Sequence, residues 1–403
     1  MPAMRDDDVY IIGTGRTPFS SDRSASVKAL AQSAIETALS DAGVSRAEVQ
    51  AAYFANAGQG ALGGQHMIRG QIALRHAGFE HIPVVNVENA CASATTALTQ
   101  AVALIRAGEA DVALAAGAER LATGDRPNEK LFFAGATDVL AAESDGFVAE
   151  QDRSVFMDIY ASLARDYMER YGATREAFAA VASKNLAHAV HNPNAQRRQA
   201  LTLGEVLAAR EVVWPLTLPM CAPIGNGAAA AVICRGDVLK RFPAASPLRI
   251  AAAVLGTGTL DPAQARQDPI TKRLARSAYE RAGVDPRDVH VAEVHDATAA
   301  GEIIQIEALG LVPEGEGGRA TLAGETRLGG RIPVNVSGGL EANGHPIGAT
   351  GLAQVHEIAD QLRGRAGARQ VERASIGVVE NGGGFLGAEE AVASVILIER
   401  ASL

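Results

Sequence analysis

Aromatic residues are scarce in this sequence, 4% of 403 residues with a single tryptophan, so large flat anchoring surfaces are not what shapes its interior. There are three cysteines, Cys91, Cys221 and Cys234, none at metal-ligand spacing. So odd and small a count excludes a disulfide framework and a thiolate metal site. It fits free thiols in a reducing compartment, with the cytoplasm as the default location. No Lys/Arg run or basic face occurs and the formal net charge is −9, which argues against a nucleic-acid partner. No run of ~18 apolar residues is present, so no membrane span is expected. The opening "MPAMRDDDVYIIGTG" lacks a basic segment followed by an apolar one, and no signal peptide is expected. The closing "ASL" differs from the usual peroxisomal address.

What is plentiful is small residues. Glycine alone numbers 42, and the chain is 47% hydrophobic and 21% charged, an ordinary globular balance. Small side chains let helices and strands approach closely, which suits a layered α/β protein. The length allows two or three domains, or one large α/β unit with a duplicated core.

Duplication is visible in the sequence itself. "SDAGVSRAEVQAAYFAN" (40–56) resembles "ERAGVDPRDVHVAEVHD" (280–296). Each reads as the end of an amphipathic helix, an Ala-Gly stop, a turn and a buried strand. A second pair follows in the same order, "ENACASATTALTQAVALIRAG" and "EANGHPIGATGLAQVHEIADQLRG". Setting Asn89 on Asn343 puts Cys91 on His345, Thr96 on Thr350 and Gln100 on Gln354. Two βαβ-like halves, 1–245 and 246–403, would then pack about a pseudo-twofold axis, with the starts of two equivalent helices face to face. Within the first half, about 120–215 reads as an inserted helical region richer in charge and aromatics.

Cys91 lies among Ala90, Ala92, Ser93 and Ala94 at an expected helix start, where partial positive charge favours a thiolate and unpaired N–H groups can hold an oxyanion. An inert structural cysteine fits that motif equally well. His345, between Gly344 and Pro346 at the facing helix start, suits a general base. His295 ends an apolar strand before Asp296, and Glu380 and Asn381 precede three glycines in "VVENGGGFLG".

In this order and spacing, "ENACASATTAL", "HDAT", "NGHPIGATG" and "ENGGGFLG" resemble the thiolase superfamily, over essentially the whole chain. "EALGLVPEGEGG", "NPNAQ" and "CAPIGNGAAAAVI" are most similar to its sterol-carrier-protein type. The resemblance implies a five-layer αβαβα thiolase fold and an inserted loop domain that binds coenzyme A. It also implies homodimers, often paired into tetramers, coenzyme A as cosubstrate, and no tightly bound cofactor or metal. It makes Cys91 the acyl-accepting nucleophile, His345 the base that activates it, and His295 an oxyanion-hole donor. Gly382 would supply an N–H that joins that of Cys91 on the thioester oxygen. Some relatives of this type work with a small OB-fold, zinc-containing partner.

The family's second cysteine is absent from both of its usual places, where Glu380 (followed by Asn381) and Ala297 stand instead. Glu380 is therefore the expected acid/base, with His295 the alternative. Lys184, Arg197 and Arg198, basic and near a turn, are candidates for the coenzyme A phosphates. The expected activity is CoA-dependent cleavage of a 3-oxoacyl-CoA through a Cys91 acyl-enzyme. The alternatives are acyl transfer to a non-CoA acceptor without enolate chemistry, or a subunit active only with its OB-fold partner.

Overall fold

A strand buried on both faces must lie inside a sheet with layers on either side. β1 (Val9–Arg16), β4 (Val112–Arg120) and β7 (Asn226–Arg235) are of this kind, buried along nearly their whole length. In the computed structural model, which describes residues 8–140 and 153–401, they form the middle of one half of a nine-stranded sheet. Residues 141–152 of the expected insert and the last two residues of the "ASL" terminus lie outside the described residues, as do residues 1–7.

The remaining strands are β2 (Ala51–Ala55), β3 (Val84–Val87), β8 (Leu248–Thr257), β9 (Val291–Glu293), β10 (Ile376–Leu386) and β11 (Glu389–Arg400), with a short hairpin of β5 (Glu211–Val213) and β6 (Leu216–Thr217) apart from the sheet. The order β3-β2-β4-β7-β1-β8-β11-β10-β9 is a palindrome of two similar halves. β2 and β4 are parallel and β4 and β7 antiparallel, as are β9 with β10 and β10 with β11. An isolated parallel bridge from Ala292 to Val334 stands beside β9 where β3 stands beside β2. The halves join through two residue pairs, Tyr10 with Arg249 and Ile11 with Leu248.

Period-two alternation sorts the side chains into layers. Val9 and Ile11 of β1, with Val379 of β10 and Ile396 of β11, point into a central core shared with the helices Ser93–Arg106 and Ile347–Arg363. Tyr10 and Ile12 point outward against the helix Val27–Ala42, and Val378, Val395 and Leu397 point outward against the helix Ile270–Ala282. Helix, half-sheet, helix pair, half-sheet and helix give the expected five layers. The helices Val155–Tyr171 and Arg175–Ala189 of the insert form a further core against the helix Ala299–Ala308.

The central pair packs closely because glycine stands at the crossings. A Cβ at Gly351 would meet Thr95 Cγ2, and one at Gly117 of β4 would collide with the carbonyl oxygen of Gly348. Gly117→Ala is therefore expected to cost about 2–3 kcal/mol, the upper range for overpacking, because backbone rather than a rotatable side chain blocks the methyl. A urea midpoint equal to that of the wild type would show that β4 and the helix can separate at no cost.

Candidate active site

After β3 the chain makes a tight turn held by its own polar groups. The N–H of Asn89 donates to Ser93 Oγ (2.8 Å), Ser93 Oγ donates to the Ala90 carbonyl (2.6 Å), and the N–H of Ala90 donates to Glu88 Oε1 (2.7 Å). Ala90 is forced to φ +46°, a region non-glycine residues rarely occupy. This lifts Cys91 to the apex, two positions ahead of the first helical residue, Ser93. The sequence pattern placed Cys91 at the helix start, one turn-position later than it is found. Cys91 stands just before that start, half-buried on the floor of a cavity.

His345 arrives from the other half. Gly344 (φ +90°) ends the short helix Gly339–Asn343, and the His345 N–H donates to the Pro223 carbonyl at 2.9 Å. Its Nε2 lies 3.1 Å from Cys91 Sγ and its Nδ1 2.8 Å from Thr350 Oγ1. The Thr350 hydroxyl gives its proton to the Pro346 carbonyl (3.2 Å), so its oxygen accepts from Nδ1–H. That fixes the tautomer: Nε2 is the bare nitrogen, facing the thiol. The His295 ring sits 5.3 Å from that of His345, and a nitrogen of each lies with the Cys91 sulfur in one group of atoms within 4.8 Å of one another. Neither His295 ring nitrogen has a partner among the described residues, which leaves a buried donor and acceptor for a ligand.

Burial decides the protonation states. It pushes the Cys91 thiol up to about 12, opposed by the N–H groups of Gly384 and of Cys91 itself, which donate to the sulfur. Burial lowers His295 to about 4, and burial with neighbouring His295 holds His345 well below its ordinary value. The resting pair is a neutral thiol on a neutral imidazole. The depressed thiol expected from a helix start is not found, because desolvation outweighs the donors.

The "ENGGG" segment is placed differently from expectation. Glu380 does not line the cavity. Its Oε2 accepts the His295 N–H at 2.9 Å and its carboxyl is held well above the ordinary range, chiefly by burial and then by Glu390, so it props His295 from behind. Asn381 bonds Gln354 of the His345 helix at 3.0 Å. Gly382 pairs with Ala393 in the sheet, and the N–H that reaches the sulfur is that of Gly384, two residues on.

Behind His295 lies a buried acidic cluster. Asn185 Nδ2 donates to Asp296, Glu302 and Glu341 at 3.1, 2.9 and 2.9 Å. Lys184 Nζ pairs with Glu302 at 2.8 Å and its side chain is wholly buried. That removes Lys184 from the coenzyme A candidates, since a sealed and paired ammonium cannot reach a phosphate. Arg198 is exposed away from the cavity, its nearest partner the Val190 carbonyl. Arg197 alone of the three lines the cavity, donating to the carbonyls of Cys221 and Glu341.

The cavity holds about 500 Å³. Cys91, His295, His345 and Gly384 meet in it, with Phe133, Phe156, Met157, Tyr160 and Ile224 as apolar walls and Arg23, Arg126, Lys130, Arg153, Arg197 and Arg210 as a basic rim. The rim escaped the sequence reading because its members are scattered from position 23 to 210 with no local pattern. A larger hollow of about 790 Å³ adjoins it across Phe133, Ala136 and Ile347 but contains neither Cys91 nor either histidine.

Comparison with known proteins identifies the family. Residues 9–201 match the family model "Thiolase, N-terminal domain" and residues 264–397 match "Thiolase C-terminal domain-like". The chain is 39% identical to an acetyl-CoA acetyltransferase of Methanothermobacter thermautotrophicus over 94% of its own length and 96% of the other. It is 35% identical to the benzoylsuccinyl-CoA thiolase subunit BbsB of Thauera aromatica (90% and 91%), and 36% identical to sterol carrier protein 2 of Gallus gallus (90% and 67%). In fold it is similar to the Ltp2-ChsH2(DUF35) aldolase, with a TM-score of 0.78 at 23% identity over 98% of both chains. The chain belongs to the thiolase family.

A neutral thiol predicts a definite pH response. The thiolate fraction rises about tenfold per pH unit below the thiol pKa, so Cys91 alkylation by iodoacetamide should climb from pH 6 to 9 without a plateau. Thr350→Val strands the Nδ1 proton and should slow alkylation about tenfold, equivalent to roughly 1.4 kcal/mol of lost orientation. A plateau near pH 6 would instead mean a preformed thiolate–imidazolium pair.

Proposed function

We propose that the protein is a thiolase-type acyl-CoA C-acyltransferase that cleaves 3-oxoacyl-CoA thioesters through an acyl-enzyme on Cys91. The observation that carries this is the 3.1 Å contact between Cys91 Sγ and the bare Nε2 of His345, in a cavity with a basic rim. Cys91 attacks the 3-keto carbon as its proton passes to His345 Nε2. Covalent catalysis divides the transfer into two easier steps. The ring N–H of His295 and the N–H groups of Gly384 and Cys91 are the donors available to oxygens that gain charge. The carbon–carbon bond then breaks and the shorter acyl-CoA departs as its enolate. A second coenzyme A thiol takes the acyl group from Cys91.

Coenzyme A carries several phosphate charges, and the basic rim matches them. Arg23, Arg126 and Arg210 are its exposed members, and Gly124 (φ +88°) leaves no side chain in the way of the Arg23 guanidinium. These three take the place first given to Lys184 and Arg198. The division into halves 1–245 and 246–403 and assembly as a homodimer or tetramer belong to this reading. So does a cytoplasmic location, beside the observation that no helix among the described residues is long and apolar enough to cross a membrane. A second reading, action together with a small OB-fold partner, draws support from the fold likeness to the Ltp2-ChsH2(DUF35) aldolase.

Intact-mass measurement after exposure to a panel of acyl-CoAs tests the proposal. Wild type should gain the acyl mass and Cys91→Ser should not, and absence of any adduct on wild type would remove the acyl-enzyme. Reversing charge at Arg23, Arg126 and Arg210 together should raise the KM for coenzyme A by at least about tenfold with kcat little changed, since the phosphates lie far from the reacting carbon. An unchanged KM would place the phosphates elsewhere.

A further inference from the structure

The enolate released by cleavage needs a proton at carbon, and neither family position holds a cysteine. Among the described residues, five groups away from the basic rim line the cavity besides the Cys91–His345 pair and could carry a proton: Glu129, Ser154, His295, Cys221 and Tyr160. Glu129 Oε1 is held by the N–H groups of Thr123 and Gly124 (2.6 and 2.8 Å), and Ser154 Oγ caps its helix by accepting from the Phe156 N–H. Glu380 and Glu390 do not line it. His295 is neutral, and its ring N–H is better used as a donor to oxygen. The Cys221 thiol already points at the Thr217 carbonyl, 3.6 Å away.

Tyr160 differs from all four. It belongs to the helix Val155–Tyr171 of the insert and packs with Ala297, Ala299 and Ala300, the turn that follows His295 and Asp296. Its ring lies beside Gly301, where a Cβ would stand in ordinary contact with it at 3.5 Å. The hydroxyl makes no hydrogen bond to a described residue and is not sealed in the core. It opens on the cavity that contains Cys91. The insert thus delivers a phenol to the turn where Ala297 leaves the family's thiol position empty.

We propose that Tyr160 is the acid that protonates the departing enolate, a role resting on the thiolase reading above. As the carbon–carbon bond breaks, its electron pair becomes the enolate and the Tyr160 O–H proton passes to the α-carbon. The incoming coenzyme A thiol restores that proton to the phenolate as its sulfur attacks the acyl-enzyme. The Cys91 sulfur, leaving as thiolate, recovers its own proton from His345. Nothing is oxidised or reduced, and the proton lost by coenzyme A equals the one gained by carbon. Burial, then the charges of Glu390, Cys91, Glu380 and Asp296, hold the phenol well above its ordinary value, so it stays protonated until called on.

The test separates acylation from cleavage. Tyr160→Phe removes one oxygen and keeps the ring. It should acquire acetyl mass from acetyl-CoA at a rate within about threefold of wild type, yet lose at least about 100-fold in cleavage of 3-oxoacyl-CoAs from acetoacetyl to 3-oxododecanoyl, the low end for general acid catalysis. Tyr160→Cys should recover part of the loss. Replacing tyrosine with 3-fluorotyrosine, a stronger acid, should move the alkaline limb of kcat to lower pH in wild type and not in Tyr160→Phe. Cleavage by Tyr160→Phe within threefold of wild type overturns the assignment. So does loss of acylation together with cleavage, which marks a packing role, and so does a cleavage defect found only in Cys221→Ala. If wild type itself takes no acyl group, the thiolase reading falls first and this assignment with it.

Discussion

The two central helices touch with almost nothing between them, and the chemistry depends on that. Thr95 sits against Gly351, and the carbonyl of Gly348 sits against Gly117. A side chain at any of these glycines would push one half of the protein from the other. Cys91 hangs from the start of one helix and His345 from the start of the other, so their 3.1 Å contact is set by the packing of the halves rather than by a local loop. Both residues stand in turns fixed by other groups, Ala90 with its left-handed φ and Gly344 with its own. Positioning is complete before any ligand arrives, which is the condition under which a catalytic pair can act without reorganising.

The internal repeat made this pair legible. Aligning two stretches of sequence set Cys91 on His345, and a pseudo-twofold arrangement requires equivalent positions near the axis to meet. The same logic foresaw the layering, because α/β repeats with small residues at each crossing have few ways to pack. Less legible was anything that depends on which way a side chain points. Glu380 and Gly382 occupy positions of opposite character to Asn381 along β10, and period two turns them from the central helices. Lys184 looked like a surface cation in a charged segment and is enclosed with Glu302. The thiol's protonation state could not be read from a helix start, because the sequence shows donors but not the absence of water.

The insert has a double part in the site. Its helices pack against the helix Ala299–Ala308 of the C-terminal half, and the insert supplies Tyr160 and Arg153 to the cavity's wall and rim. A segment that both excludes solvent and lines the pocket lets acyl preference change without disturbing the central helices. Apolar walls of Phe133, Phe156 and Met157 can be exchanged for others while Cys91, His345 and Thr350 stay where the halves put them.

The acidic cluster behind His295 has an effect on the whole molecule. Asp296 is held well above its ordinary value, and Glu341 is raised to about 8, in each case mainly by burial and then by neighbouring carboxylates. In the unfolded chain the same groups would ionise near ~4. Over the interval between those values the folded protein carries protons that the unfolded chain has shed, so folding takes up protons from solution. The unfolded state binds fewer, and the cluster's contribution to stability declines as pH rises through that interval, the reverse of carboxylates that sit in salt bridges. The interior that keeps the Cys91–His345 pair neutral thus also makes this cluster a store of protons, while the buried histidines, held below their ordinary value, pull stability the other way as pH falls.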